Sequence, residues 1–483
     1  MDPIIGLDLA LDLPRRGSRR LGAELHRQLR AGIVEGRLQA GLRLPSTREL
    51  AAALGVSRNT VMTAYDLLLA EGYVRTAGRG GTRVASVLST SRASPPAAAG
   101  SFDRRLNPAW RAPYRLIPIA PTHDLPYDFT VGMPDSTLFP YPLWRRLSAR
   151  ALRAAARAPA AYAQPEGLRA LREAIAGHVS FARAIACGPD EIVVTAGAQQ
   201  AFDLLSRILV TPGKTTVAIE QPGYPPLTNV LAAAGAKIVG VPVDEEGLRV
   251  DHLPVATKLV FVTPSHQFPL GVHLSLARRR ALLDFARARG AVIVEDDYDG
   301  EFRYGGKPLD ALQTLDREAC VFYVGTFSKS LFPALRLGFV IAPAWARPAL
   351  VAAKQTADWH APAAAQHTLA AFIGEGHLAR HVRKVRSVYG ERRAILQAAL
   401  ERFGAGRFRP IGIGAGLHLA AYLDRSLSAS RLAEQARKAG FVLDPVARPG
   451  ERRGDAIAFG YGAIPTERIA EAIRKLAALA REG

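Results

Sequence analysis

Lys329 is the residue of this chain whose surroundings most clearly suggest chemistry. It lies in the stretch VGTFSKSLFPALRLG, where Thr326 and Ser328 precede it and Arg336 follows seven positions later. Lysine is rare here, with nine among 63 basic residues, so a lysine in a largely apolar segment is poorly explained as a surface charge. A lysine amine can form a Schiff base with a carbonyl, and hydroxyl and guanidinium groups can hold a phosphate. The stretch predicts a nucleophilic amine beside an anion-binding group.

Turns that follow two other strand-like segments carry groups suited to a flat, phosphorylated ligand. EIVVT leads into a helix through a turn of small residues, with Gly197, Ala198 and Gln199 at its start. Backbone amides at a helix N-terminus can cradle phosphate. TTVAI leads into EQPGYPP, which places Tyr224 on a tight turn where its ring can stack on a ligand. Each feature alone is ordinary, because such turns and aromatic residues usually serve only packing.

An acidic cluster follows a further strand-like segment, AVIV, in the sequence EDDYDGEFRY. Asp296 or Asp297 could keep a ring nitrogen protonated, which turns a pyridine ring into an electron sink, and Tyr298 stands beside them. A lone carboxylate at a strand end is more often a helix cap or a solvated charge. Together with the amine and the phosphate groups, however, the cluster describes a site for a ring that carries an aldehyde, a phosphate and a pyridine nitrogen.

The segments that must position these groups alternate between two kinds of pattern. From about residue 123, short β-branched runs such as KLVFV and VFYV alternate with helical stretches such as AQQAFDLLSRIL. Buried apolar strands separated by helices predict an α/β fold with a mostly parallel sheet covered on both faces. Open sheets of this kind bind ligands at the carboxyl ends of their strands. No G-x-G-x-x-G motif follows a strand, so the sequence does not support a dinucleotide-binding domain.

The N-terminal part of the chain follows a different pattern. LGAELHRQLRAGIVEG, residues 21–36, predicts an amphipathic helix. Ser46 opens the sequence S-T-R-E, a capping box that begins a second helix. After a turn at Gly55, Ser57 caps a third helix over about 58–71. Two short helices about a Gly-containing turn are the pattern of a helix-turn-helix.

The third helix presents polar residues where a recognition helix meets base edges. Arg58, Asn59 and Thr60 occupy its first turn, and arginine can pair with guanine and asparagine with adenine. YVRTAGRGGTRVA then predicts a two-stranded wing, whose Arg79 could reach phosphate or the minor groove. A head used only for dimer contacts is the competing interpretation, but it gives no packing reason for the polar residues.

This N-terminal head resembles the winged-helix domains of GntR-family transcription regulators, most closely in RLPSTRELAAALGVSRNTVMTAYDLLLAEGYV. The resemblance implies a double-stranded DNA operator as the partner. It places Arg43, Ser46 and Arg48 on phosphates. The residues that it places in the groove are Ser57, Arg58, Asn59 and Thr60.

Length and composition fit several domains in one chain. The chain has 483 residues, too many for one ordinary domain. Residues 87–122, rich in Ala, Ser, Pro and Arg, predict a flexible linker between a domain over 1–86 and a domain over 123–483.

The net charge of +20 suggests contact with a polyanion, although a bias toward arginine explains it equally well. With two cysteines, no signal-peptide pattern and no long apolar run, we expect no disulfide framework, no metal site, no membrane segment and a cytoplasmic location.

The second domain resembles the pyridoxal-phosphate aminotransferases of fold type I over essentially all of residues 123–483. The resemblance implies pyridoxal 5′-phosphate as the cofactor and Lys329 as its Schiff-base lysine. Asp296 matches the partner of the pyridinium nitrogen, with Asp297 as the competing choice. Tyr298 matches the tyrosine near the phenolic oxygen, and Tyr224 matches the stacking aromatic. The phosphate cup is matched by Gly197, Ala198, Gln199, Thr326, Ser328 and Arg336.

One match and one departure concern the surroundings of that cofactor. Tyr162, in YAQPEGLRALREAI, matches a tyrosine that reaches the phosphate of the other subunit, so it implies a homodimer. Many aminotransferases carry an asparagine on the phenolic oxygen in the motif N-P-x-G. Phe268 takes that place in HQFPLG, so His266 or Gln267 is the expected substitute.

A second departure concerns the substrate carboxylate. The family often carries an arginine three residues before an aromatic near the C-terminus, and counting back from Tyr461 gives Ala458 instead. Arg452 and Arg453 are close in sequence but belong to an apparent loop, and the sequence leaves open whether they compensate. Without a clamp, an ordinary amino acid loses a charge-assisted bidentate partner.

A winged-helix head joined by a long linker to an aminotransferase-like body resembles the MocR subfamily of GntR regulators. LFPYPLW, GAQQAFDLL, EQPGYPP, TPSHQFPLG and VEDDYDGEFRY all look like that subfamily. The resemblance implies a transcription regulator whose body senses pyridoxal phosphate, an amine or an amino acid and controls DNA binding by the head. The alternative is an active aminotransferase with an accessory DNA-binding domain, because all the catalytic groups are present. Residual transaminase half-reactions are compatible with the regulator.

Overall fold

The chain folds as two compact units, residues 1–103 and 104–483. Within the described residues, no helix combines the length and apolarity that crossing a membrane would need. The computed structural model describes residues 11, 13–14, 21–76, 81–85, 110, 125–157, 161–305, 310–404, 406–411, 414–446 and 454–482.

The first unit is a small winged helix-turn-helix. Its elements are α1 (Leu21–Val34), α2 (Thr47–Leu54), α3 (Arg58–Ala70), β1 (Val74–Thr76) and β2 (Thr82–Val84). The two strands pair in antiparallel fashion, with Arg75 opposite Arg83. The helices enclose a core of apolar side chains that are fully buried, among them Leu25, Leu29, Leu50, Val61 and Leu68.

Local hydrogen bonds set the bend between α2 and α3. Ser46 Oγ accepts the backbone N–H of Glu49 at 3.2 Å, while Glu49 Oε2 accepts that of Ser46 at 2.7 Å. Gly55 ends α2 with a φ of 62°, a conformation that costs a residue with a Cβ more than it costs glycine. Ser57 Oγ then accepts the N–H of Thr60 at 3.1 Å and starts α3. The predicted helix-turn-helix is confirmed.

The described part of the second unit enters at β3 (Tyr127–Asp128) and is built on an eight-stranded sheet. The strands of this sheet are β4 (Ile192–Thr195), β5 (Thr216–Gln221), β6 (Lys237–Asp244), β7 (Gly247–Leu248), β8 (Thr257–Val262), β9 (Val292–Asp297), β10 (Val321–Thr326) and β11 (Gly338–Ile341). Their order across the sheet is β4-β11-β10-β9-β8-β5-β6-β7. From β10 to β6 all neighbours are parallel, whereas β11 is antiparallel to both β10 and β4. The carboxyl ends of the parallel strands therefore meet at one edge.

Helices cover both faces of this sheet. Their bounds are α4 (Tyr141–Ala155), α5 (Arg169–Arg183), α6 (Ala198–Leu209), α7 (Pro225–Ala233), α8 (Leu276–Arg289), α9 (Leu312–Leu315), α10 (Arg347–Asp358) and α11 (Ala363–Gly374). Successive side chains of β10 point to the two faces in turn. Phe322 and Val324 pack with α6 on one face, while Tyr323 packs with α5 and α11 on the other. Burial on both faces explains why the strands read as continuous apolar runs.

A smaller antiparallel sheet completes the body. Its strand order is β12 (Phe408–Ile411), β13 (His418–Leu423), β16 (Ala456–Gly460) and β15 (Asp444–Val446). The strand β14 (Phe441–Val442) pairs in parallel with β3 and so ties the start of the body to this part. The accompanying helices are α12 (His377–Gly404), α13 (Ala429–Lys438) and α14 (Thr466–Glu482).

Glu295, Asp296 and Asp297 complete strand β9, and Asp299 of the acidic cluster lies in the turn that follows it. Successive strand residues point to opposite faces, so Asp296 and Asp297 lie on different sides of the sheet. Asp297 Oδ2 lies 2.6 Å from Arg183 Nε and accepts the hydroxyl of Tyr323 at 2.6 Å. Both charged side chains of this pair are almost fully buried.

Replacing Arg183 should destabilise the second unit strongly. In Arg183→Met the Asp297 carboxylate stays buried without its cation, and breaking such a pair typically costs about 3–5 kcal/mol of unfolding free energy. The matched control is Arg207→Met, because Arg207 pairs with Asp203 on the surface of α6 and such pairs contribute about 0–1 kcal/mol. Denaturant unfolding followed by tryptophan fluorescence is the measurement, since all four tryptophans lie beyond residue 103. Equal losses of unfolding free energy in Arg183→Met and Arg207→Met would contradict the prediction.

Candidate functional site

Lys329 lies in the turn that follows β10, at the edge where the parallel strands end. Ser328 donates its backbone N–H to Thr326 Oγ1 at 3.2 Å, and the two hydroxyls lie 3.1 Å apart. Burial lowers the pKa of Lys329, opposed by the attraction of Asp299 and Asp296. A lowered pKa raises the share of neutral amine, which is the nucleophilic form.

Gly132 borders this lysine, although sequence reasoning did not single it out. Its φ is +74°, and a Cβ at this position would lie 2.9 Å from Lys329 Nζ. A side chain at position 132 would therefore collide with the amine. The glycine leaves the room that the end of Lys329 occupies, and nothing in the sequence TVGMPD separates it from an ordinary turn glycine.

The expected phosphate cup forms between the turn after β10 and the start of α6. Arg336, in the left-handed region at a φ of 51°, donates from Nη2 to Ala196 O at 2.6 Å. A Cβ on Gly197 would lie 3.0 Å from Arg336 Nη1, so the guanidinium rests directly on that glycine. Ala198 and Gln199 open α6, whose first N–H groups have no partners within the helix. A guanidinium beside free helix amides is a fitting receptor for a phosphate dianion.

A polar network behind the cup was missed from the sequence. Gln200 Oε1 accepts the N–H of Ala196 at 2.8 Å, and its Nε2 donates to Asp358 Oδ2 at 2.8 Å. Asp358 in turn pairs with Lys354, a lysine without solvent exposure. The network holds the turn that leads into α6. Its members are far apart in sequence, so no local pattern announces it.

Asp296 and Asp297 differ in what they contact. Asp297 forms a salt bridge with Arg183 and accepts a hydrogen bond from Tyr323. Asp296 Oδ1 is buried and has no hydrogen-bond partner. Burial, and after it the nearby carboxylate of Asp297, raises the pKa of Asp296 well above its ordinary value. A carboxylate with a buried, unpartnered oxygen fits the protonated ring nitrogen of the expected cofactor, because that N–H would supply both the missing hydrogen bond and the missing charge.

Aromatic rings flank the space near Asp296. Tyr224, 36% exposed, contacts Phe268 edge to face at a centroid distance of 5.5 Å, and Phe268 contacts Tyr298 in the same manner at 6.2 Å. Burial, with a smaller effect of Asp296, raises the pKa of Tyr224 to about 12. Tyr224 therefore stays neutral and apolar at physiological pH, as a stacking ring requires.

The two candidates for the missing asparagine have different surroundings. Gln267 Nε2 donates to Pro222 O at 2.8 Å and to Phe268 O at 2.5 Å, and its Oε1 accepts the N–H of Leu270 at 3.1 Å. Both ends of the Gln267 amide are thus engaged within the local turns, which speaks against its expected role as a cofactor ligand. His266 instead has its Nδ1 at 3.1 Å from the hydroxyl of Tyr298.

Strand β16 carries the position of the missing carboxylate clamp. Ala458 is fully buried and pairs with Ala420 of β13. The other residues of β16 are Ala, Ile, Phe and Gly, all buried, so the strand offers no cation. Arg452 and Arg453 lie outside the described residues.

Tyr162 stands apart from the cup in the single chain. It is 76% exposed and stacks on Trp359 at a centroid distance of 4.5 Å. Trp359 follows Asp358 of the network behind the cup. The structure does not bring Tyr162 onto its own cup, and its exposure leaves it available to another subunit.

In the first unit, most of the expected DNA contacts are accessible. Arg58 Nε donates to Thr47 Oγ1 at 3.4 Å, so the first turn of α3 lies against the first turn of α2. Thr60 is partly buried, and its hydroxyl lies 2.8 Å from that of Ser57, so these two residues also serve the cap of α3. Arg79 lies outside the described residues. The exposed candidates are Arg43, Ser46, Arg48, Ser57, Arg58 and Asn59.

Known families match both units. The family described as "Bacterial regulatory proteins, gntR family" matches residues 21–84, and the family "Aminotransferase class I and II" matches residues 128–476. The probable rhizopine catabolism regulatory protein MocR of Rhizobium meliloti is 36% identical over 97% of this chain and 94% of its own length. This chain belongs to the MocR-type regulators of the GntR family.

Further comparisons agree with this MocR-type assignment. The transcriptional regulator TauR of Rhodobacter capsulatus is 34% identical over 95% of this chain and 96% of its own length. The kynurenine aminotransferase of Pyrococcus horikoshii, crystallised with PMP, superimposes with a TM-score of 0.68 at 27% identity over 75% of this chain and 92% of that structure. The predicted fold type I body is confirmed, and with it the predicted cofactor class, pyridoxal phosphate, at the level of the fold family.

Substitutions in the first turn of α3 should weaken specific DNA binding by this MocR-type chain. Arg58→Ala and Asn59→Ala each remove a side chain that can pair with a base edge, which is worth about 1–3 kcal/mol, or roughly 5–150-fold in affinity. Fluorescence anisotropy with a duplex that the wild-type chain selects from a random library measures the loss. The control is Arg27→Ala, since Arg27 pairs with Glu24 on α1. Equal losses in Arg58→Ala and Arg27→Ala would show that only charge matters.

Proposed function

We propose that this MocR-type regulator holds pyridoxal 5′-phosphate at the candidate site and that the ligand state of the body controls DNA binding by the head. The observation that carries the proposal is that Lys329 and Asp296 lie near each other, an amine of lowered pKa and a carboxylate whose buried Oδ1 lacks a hydrogen-bond partner. The proposal includes a cytoplasmic homodimer, in which Tyr162 reaches the cup of the other subunit. It also includes residues 87–122 as the linker between a head over 1–86 and a body over 123–483.

Each part of the cofactor has a matching group in the chain. When bound, pyridoxal phosphate supplies an aldehyde that an amine captures and a ring that takes up electrons. Lys329 presents its amine next to Gly132, and Asp296 holds the proton on the ring nitrogen. Tyr224 stacks on the ring. The phosphate is held by the amides at the start of α6 and by Thr326, Ser328 and Arg336.

The substrate side favours particular effectors. An ordinary amino acid would leave its carboxylate unpaired against β16, which offers no cation. The arrangement therefore favours the cofactor itself as effector, or an amine that is anchored by other groups. A ligand shifts the body between two states only by its differential affinity for them, and such couplings typically amount to about 5–150-fold.

An active aminotransferase with an accessory head is the second candidate. The observation that favours it is the retention of Lys329, Asp296 and Tyr298 at one strand edge, which suffices for proton transfer chemistry. The two functions differ in sustained turnover, which the regulator does not need.

Replacing Arg336 should weaken cofactor binding through the phosphate alone. Arg336→Gln removes a charged hydrogen-bond donor worth about 1.5–3 kcal/mol, so the Kd for pyridoxal phosphate should rise roughly 10–150-fold. The Kd for pyridoxal, which lacks the phosphate, should change little. Equilibrium dialysis measures the Kd of both compounds. Arg347→Gln is the control, because Arg347, at the start of α10, donates to Asp190 O and not to the cup. A parallel loss for pyridoxal would place Arg336 outside the phosphate cup.

Loading the body with cofactor should change DNA binding through Lys329. With the selected duplex, we expect pyridoxal phosphate or a candidate amine to shift the affinity of the wild type and of Lys258→Ala. Lys258 is a surface lysine that donates to Arg289 O, so it is a matched control. Lys329→Ala should show no covalently held cofactor after borohydride reduction and no shift in affinity.

The same preparations separate the two functions. Accumulation of keto acid over many turnovers, with DNA affinity unchanged, would favour the aminotransferase. Absence of any cofactor-dependent absorbance in the wild type would refute the proposed role of Lys329.

A further inference from the structure

A buried polar cluster next to Tyr298 is not explained by the groups assigned so far. It consists of His266, Asp299 and His418, each at most 3% exposed. His266 Nδ1 lies 2.9 Å from Asp299 Oδ2 and 3.1 Å from the hydroxyl of Tyr298. One imidazole nitrogen thus faces an acceptor and a hydroxyl together.

A single imidazole nitrogen cannot donate and accept at once. When Nδ1 carries its proton, it donates to Asp299 and cannot accept from Tyr298. When Nδ1 is bare, the Tyr298 hydroxyl can donate to it. The charge on Asp299 therefore decides where the hydroxyl proton of Tyr298 points.

The small sheet holds this arrangement in place. Asp299 Oδ2 also accepts the N–H of Leu417 at 3.3 Å, which fixes the position of this carboxylate oxygen. Gly416, with a φ of +78°, passes so close that a Cβ would lie 2.0 Å from His266 Cε1 and 2.6 Å from Asp299 Oδ2. The backbone at the entry to β13 thus fixes the imidazole against the carboxylate.

His418 packs beside His266 as a second buried imidazole. Its Nε2 donates to Pro269 O at 3.0 Å, and its ring lies 4.4 Å from that of His266. Burial, and after it the neighbouring His266, lowers the pKa of His418 well below its ordinary value. The carbonyl of Pro269 therefore takes the Nε2 proton of His418, and Asp299 is the acceptor that faces Nδ1 of His266.

The hydroxyl in question keeps its own proton. Burial, with Asp299 and Asp296, raises the pKa of Tyr298 well above its ordinary value. The titratable groups that face Tyr298 and His266 from the packed elements are Glu220, Asp296, Asp299, Lys329, His418 and Tyr461.

We infer that Asp299 and His266 form a positioning pair that directs the hydroxyl proton of Tyr298 toward the phenolic oxygen of the cofactor. Asp299 keeps the proton of His266 on Nδ1, so the tyrosine donates to the cofactor and not to the imidazole. The pair takes over the task of the asparagine whose place Phe268 occupies. This inference rests on the proposed cofactor binding.

The test is a pH titration of the absorbance of the bound cofactor in the full chain. In Asp299→Asn the side chain no longer carries the charge that holds the imidazole proton on Nδ1, so the proton can move to Nε2 and the bare Nδ1 can accept from Tyr298. The phenolic oxygen of the cofactor then loses a hydrogen-bond donor that stabilises its negative charge. The pH at the midpoint of the absorbance change should therefore rise by about one unit. Tyr298→Phe should raise it as well, and Asp284→Asn, a change on the surface of α8, should not.

The sign of the shift separates positioning from simple charge. Loss of the Asp299 charge alone would lower the midpoint, because that charge favours protonation of nearby groups such as Lys329. In His266→Phe/Asp299→Asn no imidazole remains to accept from Tyr298, so the midpoint should fall below that of His266→Phe. A rise in the single variant and a fall in the double variant support the positioning pair.

Other results would overturn the inference. The midpoint pH could fall when Asp299→Asn is introduced into the wild type as well as into His266→Phe. The loss of the Asp299 charge alone would then explain the result. If Asp299→Asn does not fold, an unchanged midpoint in Tyr298→Phe with full cofactor occupancy is sufficient refutation. A wild type that binds no cofactor would refute the proposed function itself, and that result is distinct because no titration is then observed in any variant.

Discussion

Two adjacent carboxylates at the end of β9 point to opposite faces of the sheet, and the burial of Asp297 and of Oδ1 of Asp296 is the constraint on which the site depends. On the side of α5, Arg183 supplies a cation to Asp297 and Tyr323 donates a hydrogen bond to it. On the side of the lysine, Oδ1 of Asp296 has no hydrogen-bond partner. Burying an unpaired charge is costly, so a fold keeps such a group only where something compensates it. The pair on one face thus allows an open carboxylate on the other.

The parts that sequence could predict are those determined by local chemistry. The caps of α2 and α3 require only Ser46 with Glu49, and Ser57 with the amide of Thr60. The strands of the large sheet were visible as apolar runs because helices cover both of its faces. Their parallel pairing then brings the residues at their ends to one edge, so Lys329, Asp296 and the start of α6 could be grouped in advance.

The parts that sequence missed depend on contacts between distant segments. Nothing near Asp297 in the sequence indicates that Arg183 neutralises it, and nothing near Gln267 shows that its amide is engaged by the turns around it. The acidic end of β9 also depends on such distant contacts. Charged residues are unusual inside a buried strand, and only the tertiary partners of Asp297 make this strand end acceptable.

The body separates two tasks that an aminotransferase combines. Groups that suit the cofactor are present, whereas β16 offers only buried apolar residues where an amino acid would need a cation. Such a site can retain its cofactor while its preference among amine and amino-acid ligands changes. In the proposed function, the choice of ligand affects DNA binding by the head and not only product formation.

Gly132 gives the entrance of the body an unusual position. After β3, which pairs with β14, the chain passes the end of Lys329 at Gly132 before α4 begins. Val131, the residue before Gly132, also donates its N–H to Asp444 Oδ2. The same short segment therefore contacts the reactive lysine and the strand region of the smaller sheet, so a shift at one of them displaces the other.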